Sequence, residues 1–120
     1  MVIAIDFDGT ITEKNEFPKI GKAREHAFEA IKNFQKHGHV CILWTCRHGK
    51  TLIDAIEFLR DNGVEMSAYN DNVYDLDTRK IVADVYIDDK NIFMEDNVDW
   101  YKIENYILSY NISSNYNSRK

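Results

Sequence analysis

Near the amino terminus an apolar run, Val2 to Ile5, gives way at once to two aspartates, Asp6 and Asp8, followed by Gly9 and Thr10. Two carboxylates this close repel and cost energy unless something uses or neutralises them. A second acidic pair, Asp88 and Asp89, ends a later apolar run and is followed by Lys90 and Asn91. Between them, Thr45, Cys46, Arg47 and His48 follow a third run, and Lys80 stands just before the run that ends in the second acidic pair. Aspartate commonly ends strands and starts turns, so any one of these sets alone fits a turn with no role. Together they fit a site: a small substrate, or a metal bridging acidic groups, would give the charges a use.

The apolar runs predict the elements that must position these residues. Residues 2–5, 39–45, 64–69 and 83–87 read as short strands, the first continuous and β-branched as in a strand buried on both faces. Between them the period lengthens. Ala23, Ala27, Ile31 and Phe34 predict a helix over 22–36 stopped by Gly38, and Leu52, Ala55, Ile56 and Leu59 predict a second over 51–62 stopped by Gly63. Asp99 is placed to cap a last helix with Trp100, Ile103 and Ile107 on one face, and a fifth short strand is expected near Ile92–Met94. Residues 9–21 hold the only proline and read as a flap; residues 70–80 read as a polar connection.

Strands alternating with helices predict a single-domain α/β fold, a Rossmann-like three-layer sandwich around a mostly parallel sheet with right-handed crossovers. The domain is expected to span 1–108, with 109–120 a frayed polar tail rich in Ser, Asn and Tyr. In open parallel sheets ligands sit beyond the carboxyl ends of the strands. All the polar sets named above, except Lys80, fall on that edge by position.

Composition narrows the function. The chain has 120 residues, 44% of them apolar, enough for one compact core. Its formal charge of −5 argues against a nucleic-acid partner, which draws on clustered Lys and Arg, though polynucleotide ends stay open as substrates. The leading apolar run is too short for a signal-peptide core, and no run approaches a membrane span, so the expected location is the cytoplasm and no membrane partner is expected. Cys41 and Cys46 lie five residues apart in an extended run, roughly 16 Å at ~3.3 Å per residue, too far for a disulfide, and read as reduced cysteines. His37 and His39 read as surface residues at the far end of their strand, and His48 as a solvated loop residue. Trp44 and Trp100 read as core.

The order Asp6-Phe7-Asp8-Gly9-Thr10, Leu43-Trp44-Thr45, Lys80 and Tyr86-Ile87-Asp88-Asp89 resembles the four motifs of the haloacid-dehalogenase superfamily, over residues 2 to about 92. In detail it is similar to the small capless phosphatase-like members. That resemblance implies phosphoryl transfer. Asp6 would be the nucleophile and form an aspartyl-phosphate; Asp8 would protonate the leaving oxygen and then deprotonate the attacking water. Thr45 would donate to a phosphoryl oxygen, and Lys80 would balance the charge on Asp6 and phosphate. A carboxylate attacking a phosphate dianion needs a cation between them, and hard oxygen donors suit Mg²⁺. The resemblance places it on the Asp6 side chain, the carbonyl of Asp8 and Asp88, with Asp89 on a metal-bound water or on Lys80; which of the doublet binds directly stays open. Gly9, Thr10, Cys46 and Arg47 are the expected substrate-side residues, Thr10 steadying its loop. Arg47 is read either as a phosphate contact or as a surface ion pair.

The two gaps that hold cap domains in many relatives, Gly9 to Gly21 and Tyr69 to Lys80, are too short here for a domain, so an open site is expected. Glu16, Phe17, Tyr69, Asn70 and Tyr74 are then the selectivity residues by position. The substrate class, whether sugar phosphate, nucleotide or other phosphorylated group, stays open, as does the oligomeric state. A receiver domain shares the length and the acidic pair but carries its motifs in another order. A P-loop is excluded because Trp44 stands where the glycine of G-x-x-x-x-G-K-T is needed. A non-catalytic domain that keeps this fold to bind a partner is the alternative from a different class.

Overall fold

The computed structural model describes residues 1–91 and 97–118, with side chains described up to Ser109. The elements run β1 (Val2–Ile5), α1 (Ala27–Lys36), β2 (Val40–Leu43), α2 (Gly49–Asp61), β3 (Ala68–Tyr69), β4 (Val85–Ile87) and α3 (Trp100–Ser118). The four strands form one sheet in the order β3-β2-β1-β4, and every pairing is parallel. The register sets Ile5 beside Leu43 and Ile87. The chain therefore leaves β1, β2 and β4 at one level, and Asp6, Trp44 and Asp88 step off the sheet together.

Alternation along the strands sorts the core into two clusters. Ile3, Ile5, Cys41, Leu43 and Ile87 pack with Phe34 of α1, Leu59 of α2, and Trp100 and Ile107 of α3. On the other face Val2 and Ile42 meet Val73, Ile81 and Ala83 from the connection between β3 and β4. The layer over that face is thus a loop of bends, folded back on itself through Asn72, instead of a helix.

Several element bounds differ from the sequence reading for visible reasons. α1 starts at Ala27 and not at Lys22, because Ala23 forms an antiparallel bridge with Thr12, the Arg24 N–H donates to Ile11 O at 2.7 Å, and His26 has a left-handed φ of 69°. The chain from Thr12 to Ala23 is closed at its base into an arm. β3 is reduced to two paired residues, although Val64 and Met66 ahead of it are buried. The capping of α3 matches: Asp99 Oδ1 accepts from the N–H groups of Tyr101 (3.0 Å) and Lys102 (3.3 Å). The helix then runs to Ser118, through the stretch where composition suggested a frayed tail from residue 109. A helix already nucleated against the core extends at low cost through residues of poor propensity. The strand expected near Ile92–Met94 lies outside the described residues.

Between β1 and α1, and between α2 and β4, the described residues form turns, the arm and β3, with no second domain. Among the described residues no helix is long and apolar enough to cross a membrane.

Candidate active site

Asp6 leaves β1 with its N–H donated to Ile87 O at 2.9 Å, so the last sheet hydrogen bond fixes its backbone. The loop after it turns back on itself: the N–H groups of Thr10, Ile11 and Thr12 all point at Phe7 O, at 3.2, 2.9 and 3.2 Å. Gly9 takes a left-handed φ of 82°, and a Cβ there would lie 2.5 Å from Asp89 Oδ2. Only glycine allows both the turn and this approach of the two motif loops. Thr10 is fully buried. Its Oγ1 accepts from the Asp89 N–H at 3.0 Å and stands 3.2 Å from Asp89 Oδ1 and 3.5 Å from Asp6 Oδ2. The Trp100 indole N–H donates to Thr10 O at 2.9 Å, so this core tryptophan also anchors the loop.

Asp6, Asp88 and Asp89 each bring a carboxylate oxygen within 4.8 Å of the others. Burial first, and then the charges of Asp88, Asp89 and Asp8, push Asp6 up to about 7, partly offset by the backbone N–H of Phe7. Lys90 approaches Asp89 only at 4.0 Å. The donor set is three hard oxygens short of positive charge, which fits a small divalent cation. Asp6, Asp88 and Asp89 are the side chains that would hold it. The doublet stays together here, so neither aspartate stands out as the direct ligand.

Asp8 is treated differently. Arg47 grips it with two parallel bonds, Nε to Oδ2 and Nη2 to Oδ1, both 2.8 Å. The rest of the guanidinium donates to backbone carbonyls of Pro18, Lys19 and Thr51. Arg47 is only 1% exposed. It is thus neither the open phosphate contact nor the surface ion pair expected from the sequence: its five N–H groups are all aimed at protein acceptors.

Thr45 sits across from this pair. Its Oγ1 accepts from the Arg47 N–H at 3.2 Å, which leaves the hydroxyl proton free to be donated. Asn70, at the end of β3 with φ 55°, pins the same turn: its Oδ1 accepts from Thr45 N at 2.7 Å, and its Nδ2 donates to Arg47 O at 2.9 Å. Asparagine tolerates this left-handed backbone better than most residues. Its position suggested selectivity; the contacts make it a brace for the Thr45 loop.

Two adjoining cavities open on these groups. One, of about 370 Å³, is lined by Asp6, Asp8, Thr45, Cys46, Trp44 and Lys90, among others. The other, of about 230 Å³, is lined by Asp6, Asp88, Trp44, Lys80, Tyr86 and Asn91. Lys80 joins the site through that second cavity, its ammonium resting 4.4 Å from the centre of the Tyr86 ring. Cys46 is exposed and free, and Cys41 is buried and free. Trp44 lines both cavities and is 36% exposed, so it is not the core residue expected from its apolar surroundings. It lies one step past the last residue of β2. His48 is exposed, as expected, and so is His37. His39 is buried, with Nδ1 3.1 Å from the amino-terminal nitrogen at the opposite end of the sheet. Arg24, which the sequence reading passed over, donates from Nη2 to Gly9 O at 2.8 Å.

The sequence profile of the haloacid dehalogenase-like hydrolases matches residues 3–119. A solved structure of a conserved protein from Bacteroides thetaiotaomicron is 40% identical and superposes with a TM-score of 0.83, over 91% of this chain and 90% of that one. No curated protein matches the chain. With a carboxylate-lined edge of a parallel sheet, the motif residues around it, and a profile match over nearly the whole length, the chain belongs to the haloacid dehalogenase-like hydrolase family.

Proposed function

We propose that the chain is a Mg²⁺-dependent phosphatase that cleaves phosphoric monoesters through an aspartyl-phosphate on Asp6. The observation that carries this reading is the meeting of Asp6, Asp8 and Thr45 on one cavity while Asp6 also belongs to the carboxylate cluster with Asp88 and Asp89. A bound divalent cation would supply the positive charge that lets a carboxylate and a phosphate dianion approach. Asp6, Asp88, Asp89 and the Asp8 carbonyl would hold it.

An Asp6 carboxylate oxygen attacks phosphorus as the bond to the ester oxygen breaks, and Asp8 gives that oxygen its proton. Asp8 then takes a proton from water as the water attacks the aspartyl-phosphate, releasing inorganic phosphate and restoring Asp6. Thr45 donates its hydroxyl proton to a phosphoryl oxygen. Lys80, from the wall of the second cavity, offsets charge on Asp6 and phosphate. Gly9 and Thr10 keep the Asp6 loop in place, and the exposed Cys46 and Trp44 border the leaving group. The absence of a second domain among the described residues leaves this edge open to phosphorylated small molecules and to phosphate on a larger partner.

The test is hydrolysis of para-nitrophenyl phosphate with millimolar Mg²⁺, wild type beside Asp6→Asn. Wild type is expected to release phosphate, and the variant to lose at least about 10⁴-fold in kcat, in the range seen when a covalent nucleophile is removed. Equal rates in the two proteins across metals and a panel of phosphorylated metabolites would leave the binding-domain alternative standing.

A further inference from the structure

Arg47 carries more contacts than a substrate-binding arginine has to spare. Its guanidinium lies between two aromatic rings, with the central carbon 5.2 Å from the centroids of both Phe7 and Phe17. Around its edge, Nε and Nη2 hold the two oxygens of Asp8. Nη1 donates to Thr51 O at 3.2 Å and Pro18 O at 3.3 Å, and Nη2 also to Lys19 O at 2.8 Å. One cation therefore joins three things: the carboxylate of Asp8, the arm that carries Phe17, Pro18 and Lys19, and the first turn of α2. A guanidinium with every N–H directed at protein acts through the group it grips and not on a ligand.

What it does to Asp8 is geometric. An aspartate side chain alone is broad about its last torsion. Two parallel N–H···O bonds remove that freedom and fix the plane of the carboxylate. They occupy two of its roughly four lone-pair sites and leave the others for a proton. The Asp8 side chain remains 10% exposed, and it lines the cavity shared with Asp6 and Thr45.

We propose that Arg47 is a positioning residue: it fixes the Asp8 carboxylate toward the leaving oxygen and makes that orientation depend on the seating of the arm. This rests on the phosphatase reading above, because it assigns the effect of Arg47 to the step in which the ester P–O bond breaks and the departing oxygen takes its proton from Asp8. Lysine keeps the charge but has no fork to hold a plane, so Arg47→Lys separates position from charge.

The experiment uses the full chain with Mg²⁺ and a series of aryl phosphates whose leaving phenols grow steadily less acidic, from para-nitrophenyl to phenyl to para-methoxyphenyl phosphate. Poor leaving groups need the proton from Asp8 most. Arg47→Lys is expected to lower kcat by less than about tenfold on para-nitrophenyl phosphate and by about 10²–10³-fold on the methoxy ester, with KM changed less than threefold. Asp8→Asn should steepen the dependence further, and the double variant should be no worse than Asp8→Asn alone, since both changes remove one unit. Phe17→Ala, a change at a ring that is 53% exposed, keeps the question open to decision if Arg47→Lys folds poorly: it should give a smaller loss of the same leaving-group-dependent kind. Uniform losses across the series, a flatter dependence, a rise in KM alone, or additivity with Asp8→Asn would each overturn the proposal while leaving the phosphatase reading intact. A wild type that turns over none of the esters removes both.

Discussion

Asp6 and Asp8 are two residues apart, yet the protein completes one side of its site and leaves the other unfinished. On the Asp8 side the charge is matched: a buried guanidinium meets both oxygens at 2.8 Å, and Asn70 braces the loop that carries the arginine. On the Asp6 side three carboxylates crowd within 4.8 Å of one another, and burial with the neighbouring charges lifts Asp6 to about 7. The difference teaches what each half awaits. The Asp8 side is prepared before any ligand arrives, so its residues are tied to the fold and to the arm. The Asp6 side stores repulsion that a proton or a divalent cation would relieve, so its stability should answer to pH and to added metal.

The largest way to break this contrast is to remove the cation the protein supplies itself. Arg47→Met should lower stability by about 3 kcal/mol, because a buried carboxylate left without its partner keeps the desolvation cost and loses the compensation. For a chain of this length that is roughly 10 °C in Tm, readable by circular dichroism. Asp6→Asn, by contrast, should raise the Tm of the metal-free protein, since it deletes a carboxylate that burial and three neighbouring aspartates disfavour. If both variants moved Tm in the same direction, the two halves would not differ in the way their geometry indicates.

The next effect comes from adding a divalent cation. Mg²⁺ at 100 times its dissociation constant stabilises a single-site protein by about 2.7 kcal/mol. Melting curves with and without Mg²⁺ should therefore separate clearly for wild type. The separation should shrink in Asp88→Asn and in Asp89→Asn, and the variant that loses more identifies the direct ligand. Equal responses in wild type and both variants would remove the carboxylate cluster as the metal site.

The two halves were also unequally legible in the sequence. Asp6, Asp88 and Thr45 are read from strand ends alone, because parallel register brings residues that follow Ile5, Leu43 and Ile87 to one level. Gly9 is legible in the same way, as the residue type that a sharp turn after a strand requires. The function of Arg47 is not, because three of its acceptors are backbone carbonyls of Pro18, Lys19 and Thr51, and a carbonyl leaves no mark in a sequence. Asn70 hides for a related reason: its task is to accept from one backbone N–H and donate to one backbone carbonyl 23 residues away. Trp44 reads as core because its apolar neighbours indicate a buried strand, whereas the strand ends one residue earlier. The start of α1 is misplaced because Ala23 fits the helical period but is claimed by a bridge to Thr12.

The smallest effect tests the Asp6 side without any metal. Asp6 ionises near 3.8 in an unfolded chain and at about 7 in the fold, so the folded state holds the proton more tightly. Between those values folding takes up a proton, and stability falls as pH rises. Below about 3.8 both states are protonated and Asp6 costs nothing; above about 7 both are ionised and the cost is complete. The expectation is sharpest as a difference between proteins, because every other titrating group is shared. In EDTA, wild type should lose Tm relative to Asp6→Asn as pH goes from 4 to 8, by roughly 3 °C once solvent access to the site is allowed for, with the gap levelling off above pH 7. Mg²⁺ at pH 8 should close most of the gap, because a divalent cation favours the same ionised carboxylate that burial and the neighbouring aspartates penalise. Parallel curves in EDTA would mean that the three aspartates relieve their repulsion by some other route, and the contrast with the paired Asp8 would lose its energetic basis.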